Sequence, residues 1–283
     1  MKVLYYDLFC GISGDMNLGA LVDLGVDLDY LKSELKKLKI DDEFDVTAIR
    51  GMKHGMSGTK VDVILHNQGH DSDHESEHKH KHDHESNYNH DHNHENKIQA
   101  KHSHSSGHEH RNFAMIGDMI DGSELNEKVK SLSIEMFRIV AEAEGKVHGK
   151  PMDEVHFHEV GATDSIVDIV GAAICIDALK VDKVMASSVQ VGGGFVKCAH
   201  GKMPVPAPAT AEILVGVPMK YNIVPFETTT PTGAAILKAT VSEFTDNHQL
   251  IINKIGYGLG YKDFEIPNIL RVYLGETDEK LLI

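Results

Sequence analysis

Residues 3–25, VLYYDLFCGISGDMNLGALVDLG, decide the fold class, because a strand passes through a glycine turn directly into a helix. The apolar run at residues 3–8 is typical of a short buried strand. Residues 11–15, GISGD, form the predicted turn, and residues 16–24 carry a helical pattern that Gly25 ends as a C-cap. A strand followed at once by a helix is typical of proteins that mix the two element types.

The rest of the chain continues this alternation. Helices are predicted at residues 29–38, 124–148, 164–179, 208–215 and 231–240. Strands are predicted at residues 44–49, 60–65, 183–191, 250–255 and 269–274, with extended segments at 155–159 and 195–200. Residues 51–58 are predicted to be the loop between two strands, and Ser123 to be the N-cap of helix 124–148. The pattern predicts an α/β or mixed α+β fold in a single compact domain.

Composition limits the classes of partner. The 283 residues carry a formal net charge of −15, whereas nucleic acids and anionic membranes require a basic surface. The sequence has no apolar run of about eighteen residues and no signal peptide. Three scattered cysteines do not make a disulfide framework. These features predict a cytoplasmic protein that binds neither nucleic acid nor membrane.

A histidine-rich segment interrupts the chain, because residues 66–110 hold fourteen of the twenty histidines and almost nothing apolar. Such a segment cannot bury enough apolar surface to offset the entropy of ordering it. We therefore predict a disordered insertion at residues 68–111, within one discontinuous domain made of residues 1–67 and 112–283. Neutral imidazole binds nickel, copper and zinc, so the insertion is predicted to collect metal ions; the alternative is a solvated low-complexity segment with incidental affinity. The candidate loose ligands are His78, His80, His82, His84, His90, His92 and His94.

A second candidate metal site lies in residues 156–168, HFHEVGATDSIVD. In an extended segment His156 and His158 point to the same side, and Asp164 and Asp168, four residues apart, share one face of the following helix. An unpaired carboxylate at Asp168, inside an otherwise apolar helix, would be costly without a metal, a histidine or a substrate group beside it. Two imidazoles with carboxylates suit a first-row metal ion. The alternative is a salt-bridged aspartate beside two ordinary histidines.

Cys198 and His200 form a third candidate metal-binding pair, because they share a side if the chain is extended there. Nickel accepts nitrogen and sulfur donors, so both are candidate ligands. The alternative for Cys198 is a small buried residue.

The turn after the first strand is a candidate phosphate site. Backbone N–H groups at Gly11, Ser13 and Gly14 can cradle an anion before a helix. Asp15 would repel a phosphate unless a divalent ion lay between them, so Asp7 and Asp15 are candidate ligands for such an ion. The alternative is a tight turn followed by a helix cap.

Residues 227–233, ETTTPTG, offer a second candidate anion site, with Thr230, Thr232 and Gly233 at the start of a predicted helix. The alternative for Thr230 is a plain N-cap. Residues 256–260, GYGLG, are not assigned to a dinucleotide site, because no helical pattern follows them.

Taken together, residues 6–16, 156–165, 200–210 and 230–235, with the histidine-rich insertion, closely resemble the LarC family, the nickel insertion proteins of nickel-pincer nucleotide biosynthesis. The resemblance extends from residue 1 to about residue 275. It implies a chelatase of the lyase class that inserts nickel(II) into pyridinium-3,5-bisthiocarboxylic acid mononucleotide, assisted by CTP with manganese or magnesium. Members of the family usually continue into a C-terminal domain associated with CTP, which is absent from these 283 residues, so a partner domain or chain is expected.

The proposed chemistry assigns further roles. The nickel–carbon bond of the product requires a proton to leave the ring, and His158 and Glu159 are the candidate catalytic residues that accept it. Two other functions remain open from the sequence. One is a non-enzymatic nickel storage protein or metallochaperone, and the other is a metal-dependent phosphohydrolase built on Asp7, Asp15, His156, His158 and Asp168.

Overall fold

The computed structural model describes residues 1–66, 111–155, 157, 160–198, 201–247 and 249–277, with the backbone alone at Asp153 and Cys198. The strands are β1 Lys2–Asp7, β2 Phe44–Lys53, β3 Met56–Leu65, β4 Lys183–Ala186, β5 Val189–Gln190, β6 Phe195–Cys198, β7 Gly201–Pro204, β8 Met219–Lys220, β9 Glu243–Phe244, β10 Ile251–Leu259 and β11 Ile269–Glu276. The helices are α1 Gly14–Leu24, α2 Leu28–Leu35, α3 Phe113–Asp121, α4 Glu127–His148, α5 Thr163–Leu179, α6 Pro208–Ile213 and α7 Pro231–Thr240. The mixed α/β fold predicted from the alternation is therefore confirmed.

The main sheet has seven strands in the order β2-β3-β10-β11-β1-β4-β9. It is mixed, because β1 pairs antiparallel with β11 and parallel with β4. Two small sheets, β5-β8 and β6-β7, stand apart from it. The first strand of the chain thus lies inside the sheet, and the loop that follows β1 leads into α1.

The helices cover one face of this sheet. Leu4 and Tyr6 of β1 belong to the main core together with residues of α1, α4, α5 and α7. Val3 and Tyr5 point to the other face, where they form a small cluster with Met185. This alternation with a period of two residues decides on which side of the sheet each β1 side chain acts.

Helix α1 lies unusually close to β10. A Cβ atom placed on Gly258 would lie 1.8 Å from the Met16 carbonyl oxygen, and one on Gly256 would lie 2.2 Å from the Ala20 carbonyl oxygen. These glycines are needed for close packing of a helix on a strand. Residues 256–259 belong to β10, so their assignment to a dinucleotide turn is rightly excluded.

The predicted loop at residues 51–58 is wrong. The two strands run on to Lys53 and Met56, which pair with each other, so only His54 and Gly55 form the turn. Both turn residues have positive φ, 48° and 80°, as tight two-residue hairpins require.

The predicted single helix at residues 124–148 is also wrong at its start. Helix α3 precedes it, and α4 begins at Glu127 with Asn126 as N-cap, whose side chain accepts hydrogen bonds from the N–H groups of Lys128 and Val129. Ser123 instead donates its hydroxyl to the Ile120 carbonyl at 2.6 Å. The predicted strand at residues 183–191 is divided into β4 and β5.

The two sides of the predicted insertion meet at Glu43. The N–H of His66 donates to the Glu43 carbonyl at 2.9 Å, and Arg111 Nη2 donates to Glu43 Oε1 at 2.5 Å. The chain before and after the insertion packs as one compact unit. The insertion itself lies outside the described residues, except for Arg111.

None of the helices within the described ranges is long and apolar enough to cross a bilayer.

Candidate functional site

The two predicted anion-binding stretches are neighbours. Ile12 pairs with Thr229 in a parallel bridge, and the Thr230 N–H donates to the Ile12 carbonyl at 3.1 Å. Gly11 has φ of +77°, and a Cβ atom there would lie 2.2 Å from the Thr228 carbonyl oxygen. The loop after β1 and the loop before α7 are therefore bound to each other along their length.

As a result, the amino ends of α1 and α7 come together. The Thr230 side chain caps α7 by accepting from the Gly233 N–H at 3.2 Å, as its interpretation as an N-cap predicts. Ser13 precedes α1 without capping it, because its hydroxyl donates to Asp15 Oδ1. First-turn N–H groups and the positive ends of two helix dipoles make this region favourable for an anion.

Gly233 and Thr232 support this arrangement by packing. A Cβ atom on Gly233 would lie 2.3 Å from the Ile12 carbonyl oxygen, so only glycine allows this approach. Thr232 is buried. The hydroxyls of Thr228 and Thr229, by contrast, donate to the Gln190 carbonyl at 2.9 and 2.7 Å, so they hold the loop.

Asp168 projects from the second turn of α5 against the start of α1. A Cβ atom on Gly14 would lie 2.2 Å from Asp168 Oδ2, so the carboxylate occupies the space that the glycine leaves. Although Asp168 is only half-buried as a residue, its Oδ1 atom is enclosed and has no hydrogen-bond partner in the described part of the chain. A buried carboxylate oxygen without a partner is costly unless it binds a proton or a cation.

Asp15 and Asp168 influence each other electrostatically. Burial raises the pKa of Asp168 well above its usual value, and the charges of Asp15 and Asp164 raise it further. Burial also raises the pKa of Asp15, although hydrogen bonds from Ser13 and from backbone N–H groups oppose this shift. The surroundings of both carboxylates thus favour a neutralising proton or cation.

Asp164 lies in the first turn of α5, is exposed, and accepts a hydrogen bond from the Ser165 N–H at 2.8 Å. The start of α5 is held by a different residue, Thr163, whose hydroxyl donates to Glu43 Oε2 at 2.6 Å. Glu43 and Arg111 therefore hold the helix that carries Asp168.

Asp7 does not join this group. As the last residue of β1 it points to the face opposite Tyr6, where its Oδ2 accepts from Arg271 Nε at 2.9 Å and from the Tyr273 hydroxyl at 3.2 Å. The structure therefore does not bring Asp7 together with Asp15, because the two-residue period of the strand turns Asp7 to the opposite face. The phosphohydrolase hypothesis loses one of its ligands for the same reason.

Three residues at the edge of this site were not predicted: Lys60, Asp62 and Tyr261. The Tyr261 hydroxyl donates to Asp62 Oδ1, and Lys60 Nζ lies 3.1 Å from the same oxygen and 3.8 Å from the centre of the Tyr261 ring. Lys60 and Asp62 belong to β3, whereas Tyr261 follows β10 about two hundred residues later, so no local motif indicates that they meet.

Several predicted ligands lie outside the described residues, namely His156, His158, Glu159, His200, His78, His80, His82, His84, His90, His92 and His94. Of Cys198 only the backbone is described, at the end of β6. Among the residues that the structure does describe, no three histidine, cysteine or acidic side chains are grouped so that they could hold a metal ion.

Fold and site together define a class: an α/β protein with two half-buried carboxylates beside converging helix amino ends. The chain matches the nickel insertion protein family over residues 4–282 and belongs to that family.

The curated relatives carry informative names. A protein of Clostridium acetobutylicum, 62% identical over 98% of this chain and 65% of its own length, is called pyridinium-3,5-bisthiocarboxylic acid mononucleotide nickel insertion protein. A protein of Clostridium kluyveri with the same name is 54% identical over 98% of this chain and 63% of its own length. One from Maridesulfovibrio salexigens, called putative nickel insertion protein, is 56% identical over 99% of this chain and 64% of its own length. The chain thus spans less than two thirds of these relatives, and no solved structure matches it.

Proposed function

We propose that this chain inserts nickel(II) into pyridinium-3,5-bisthiocarboxylic acid mononucleotide, the compound in the names of its relatives. The observation that carries the proposal is the Asp168 carboxylate, whose Oδ1 lacks a partner among the described residues and whose neighbour is Asp15. The two carboxylates favour a metal ion, and the two helix amino ends beside them favour an anionic substrate.

In this proposal Asp15 and Asp168 supply oxygen ligands to nickel. Two carboxylates do not complete a first-row metal site, so His156 and His158, which flank Phe157 in the sequence, supply imidazole ligands. Phe157 is buried against Phe137, with ring centres 6.2 Å apart, which fixes the chain between the two histidines. Cys198 and His200 are further ligands, and the histidines of residues 68–111 collect the ion.

Transfer then proceeds by ligand exchange. Oxygen and imidazole ligands are replaced by the two thiocarboxylate sulfurs and one ring carbon of the substrate, which chelate nickel more strongly. The ring carbon loses its proton as the nickel–carbon bond forms, and His158 or Glu159 accepts that proton. The total charge is conserved, because one proton leaves the ring carbon for each nickel–carbon bond that forms.

The phosphate of the substrate binds in a cradle at the amino ends of α1 and α7, beside the joined loops at residues 11–14 and 230–233. The pairing of Ile12 with Thr229 brings the starts of α1 and α7 together, and N–H groups at helix starts bind phosphate. Asp15 lies beside this cradle and repels a phosphate, so a cation between them is favourable. CTP with manganese or magnesium is proposed as an assisting pair, and the assay below tests it.

The test is an anaerobic insertion assay. Nickel-loaded protein is mixed with the bisthiocarboxylated mononucleotide, with and without CTP and manganese or magnesium, and the product is followed by absorbance and mass. We expect a nickel complex of the mononucleotide. If nickel remains on the protein and no complex forms, the chain acts as a nickel storage or delivery protein instead.

Two variants test the assigned ligands. Replacing His156 and His158 together by alanine should abolish insertion and leave the number of bound nickel ions nearly unchanged. The control replaces His102 and His104, which have the same spacing within the histidine-rich segment. Full insertion activity in the first double variant would remove both histidines from the site.

A further inference from the structure

The residues Lys60, Asp62 and Tyr261, here called the aromatic rim, lie beside the carboxylate pair. Tyr261 follows β10, and Gly258 of that strand packs on the Met16 carbonyl in the first turn of α1. The tyrosine is therefore close to the helix end that carries Asp15. The electrostatics of Tyr261 are consistent with this position. Burial is the main cause that raises the pKa of its phenol, and the charges of Asp62, Asp15 and Asp168 raise it further.

The Tyr261 ring is held in place but largely open. Its hydroxyl is fixed by Asp62 and its ring by the Lys60 ammonium 3.8 Å from its centre, yet the residue is 60% exposed. The Lys60 ammonium lies over one face of the ring, so a planar ligand would stack on the other face. Its orientation costs no further entropy when a ligand binds, because Asp62 and Lys60 already hold it.

The charges around the rim favour a cationic ring. The Tyr261 hydroxyl donates to Asp62, and the charges of Asp15 and Asp168 also act on the phenol, against the single ammonium of Lys60. A flat, positively charged heterocycle gains both from stacking on the tyrosine and from these carboxylates. A neutral ring of the same shape gains only the stacking.

We propose that the aromatic rim binds the pyridinium ring of the mononucleotide, with Tyr261 as the stacking partner and Asp62 as the residue that positions it. This inference rests on the proposed function, from which the chemistry of the substrate is taken. The rim holds the ring while the phosphate lies at the helix amino ends and the thiocarboxylates face the metal ion. Tyr261 is thereby a residue that selects substrates by ring charge.

Binding is measured without nickel, by titrating the bisthiocarboxylated mononucleotide into the full chain and its variants. Tyr261→Leu, which removes the ring, should raise Kd about fivefold to tenfold, the lower end of the usual cost of losing one stacking partner. Tyr261→Phe, which keeps the ring, should stay within about twofold of the unchanged protein. The control is Tyr221→Leu, because Tyr221 is similarly exposed (51%) on the loop after β8.

Competition with nicotinamide mononucleotide in its oxidised, pyridinium form and in its reduced, uncharged form isolates the ring charge. We expect the oxidised form to compete better with the unchanged protein and this preference to disappear in Tyr261→Leu. Substrate binding that Tyr261→Leu leaves unaltered overturns the aromatic rim alone. Absence of binding by the unchanged protein overturns the proposed function as well, so the two failures are distinct.

Discussion

Gly14 and Asp168 depend on each other, because the carboxylate occupies the space where any other residue at position 14 would place its Cβ atom. The contact fixes α5 against the start of α1 at the point where the candidate site lies. A change at either residue therefore acts on the fold and on the site together.

Gly14→Ala should destabilise the protein by about 1 to 3 kcal/mol, the usual cost of overpacking. The added methyl group meets the side chain of Asp168 and forces it away from the site, so nickel insertion should fall as well. Thermal unfolding and the insertion assay measure the two effects.

Gly117→Ala is the matched control for this change. Gly117 lies within α3 with no atom near its Cβ position, so alanine should stabilise the helix by about 0.5 to 1 kcal/mol. Equal behaviour of the two variants would contradict the role of the Gly14 contact.

At pH values above the usual carboxyl pKa, Asp168→Asn should raise the free energy of unfolding by about 1 kcal/mol. The same change should abolish nickel insertion. The pKa of Asp168 is higher in the folded chain than in the unfolded one, so the folded form binds the extra proton. The stability of the folded protein therefore falls as pH rises from the usual carboxyl pKa towards the raised pKa of Asp168. Asparagine does not titrate, so the variant lacks this pH dependence. Unfolding midpoints across pH measure it, with the exposed Asp118→Asn as control.

At the scale of elements, some helices were predictable, and the length of one hairpin turn was not. The prediction at residues 164–179 succeeded because an almost wholly apolar run must form a buried helix, and the structure gives Thr163–Leu179. The connection between the hairpin's two predicted strands was made too long because Gly51 and Gly58 resemble loop residues. Both glycines instead allow close packing, since a Cβ atom on either would lie within 3 Å of Leu259.

The candidate site shows the same limit. The sequence indicated the loop at residues 11–15 and the threonine stretch separately, each from its local pattern. Their pairing through Ile12 and Thr229 depends on the whole sheet, and so does the arrival of Tyr261 beside Asp62. Local patterns do not contain such long-range contacts.

Glu43→Gln tests how α5 is held. Burial alone would raise the pKa of Glu43, but hydrogen bonds from Thr163 and Arg111 outweigh it and lower the pKa. The stabilisation that the Glu43 carboxylate contributes is therefore fully present at neutral pH. It is lost as pH falls below the usual carboxyl pKa. The variant should lose about 1 kcal/mol at pH 7 and clearly less at pH 3.

Denaturant titrations at the two pH values measure this difference. Glu124→Gln, at an exposed position, is the control and should show no such dependence. A loss that is equal at both pH values would mean that the charge of Glu43 does not anchor the helix.

For the whole molecule, the histidine-rich segment and the folded unit should be separable. Its two flanks, at His66 and Arg111, both contact Glu43, so a short linker can join them. A variant with residues 68–110 replaced by a short glycine-serine linker should keep its unfolding temperature within a few degrees. It should bind far fewer nickel ions, as counted by equilibrium dialysis, and loss of folding would show that the segment is structurally required.

The position of β1 inside the sheet also determines when the protein can fold during its synthesis. Lys2 pairs with Glu276, and Val3 pairs with Lys183, so both neighbours of the first strand are translated long after it. Until β11 leaves the ribosome, β1 exposes an apolar edge that chaperones can recognise. The edge of β1 that faces β11 therefore stays unpaired until residues 271–276 have been made.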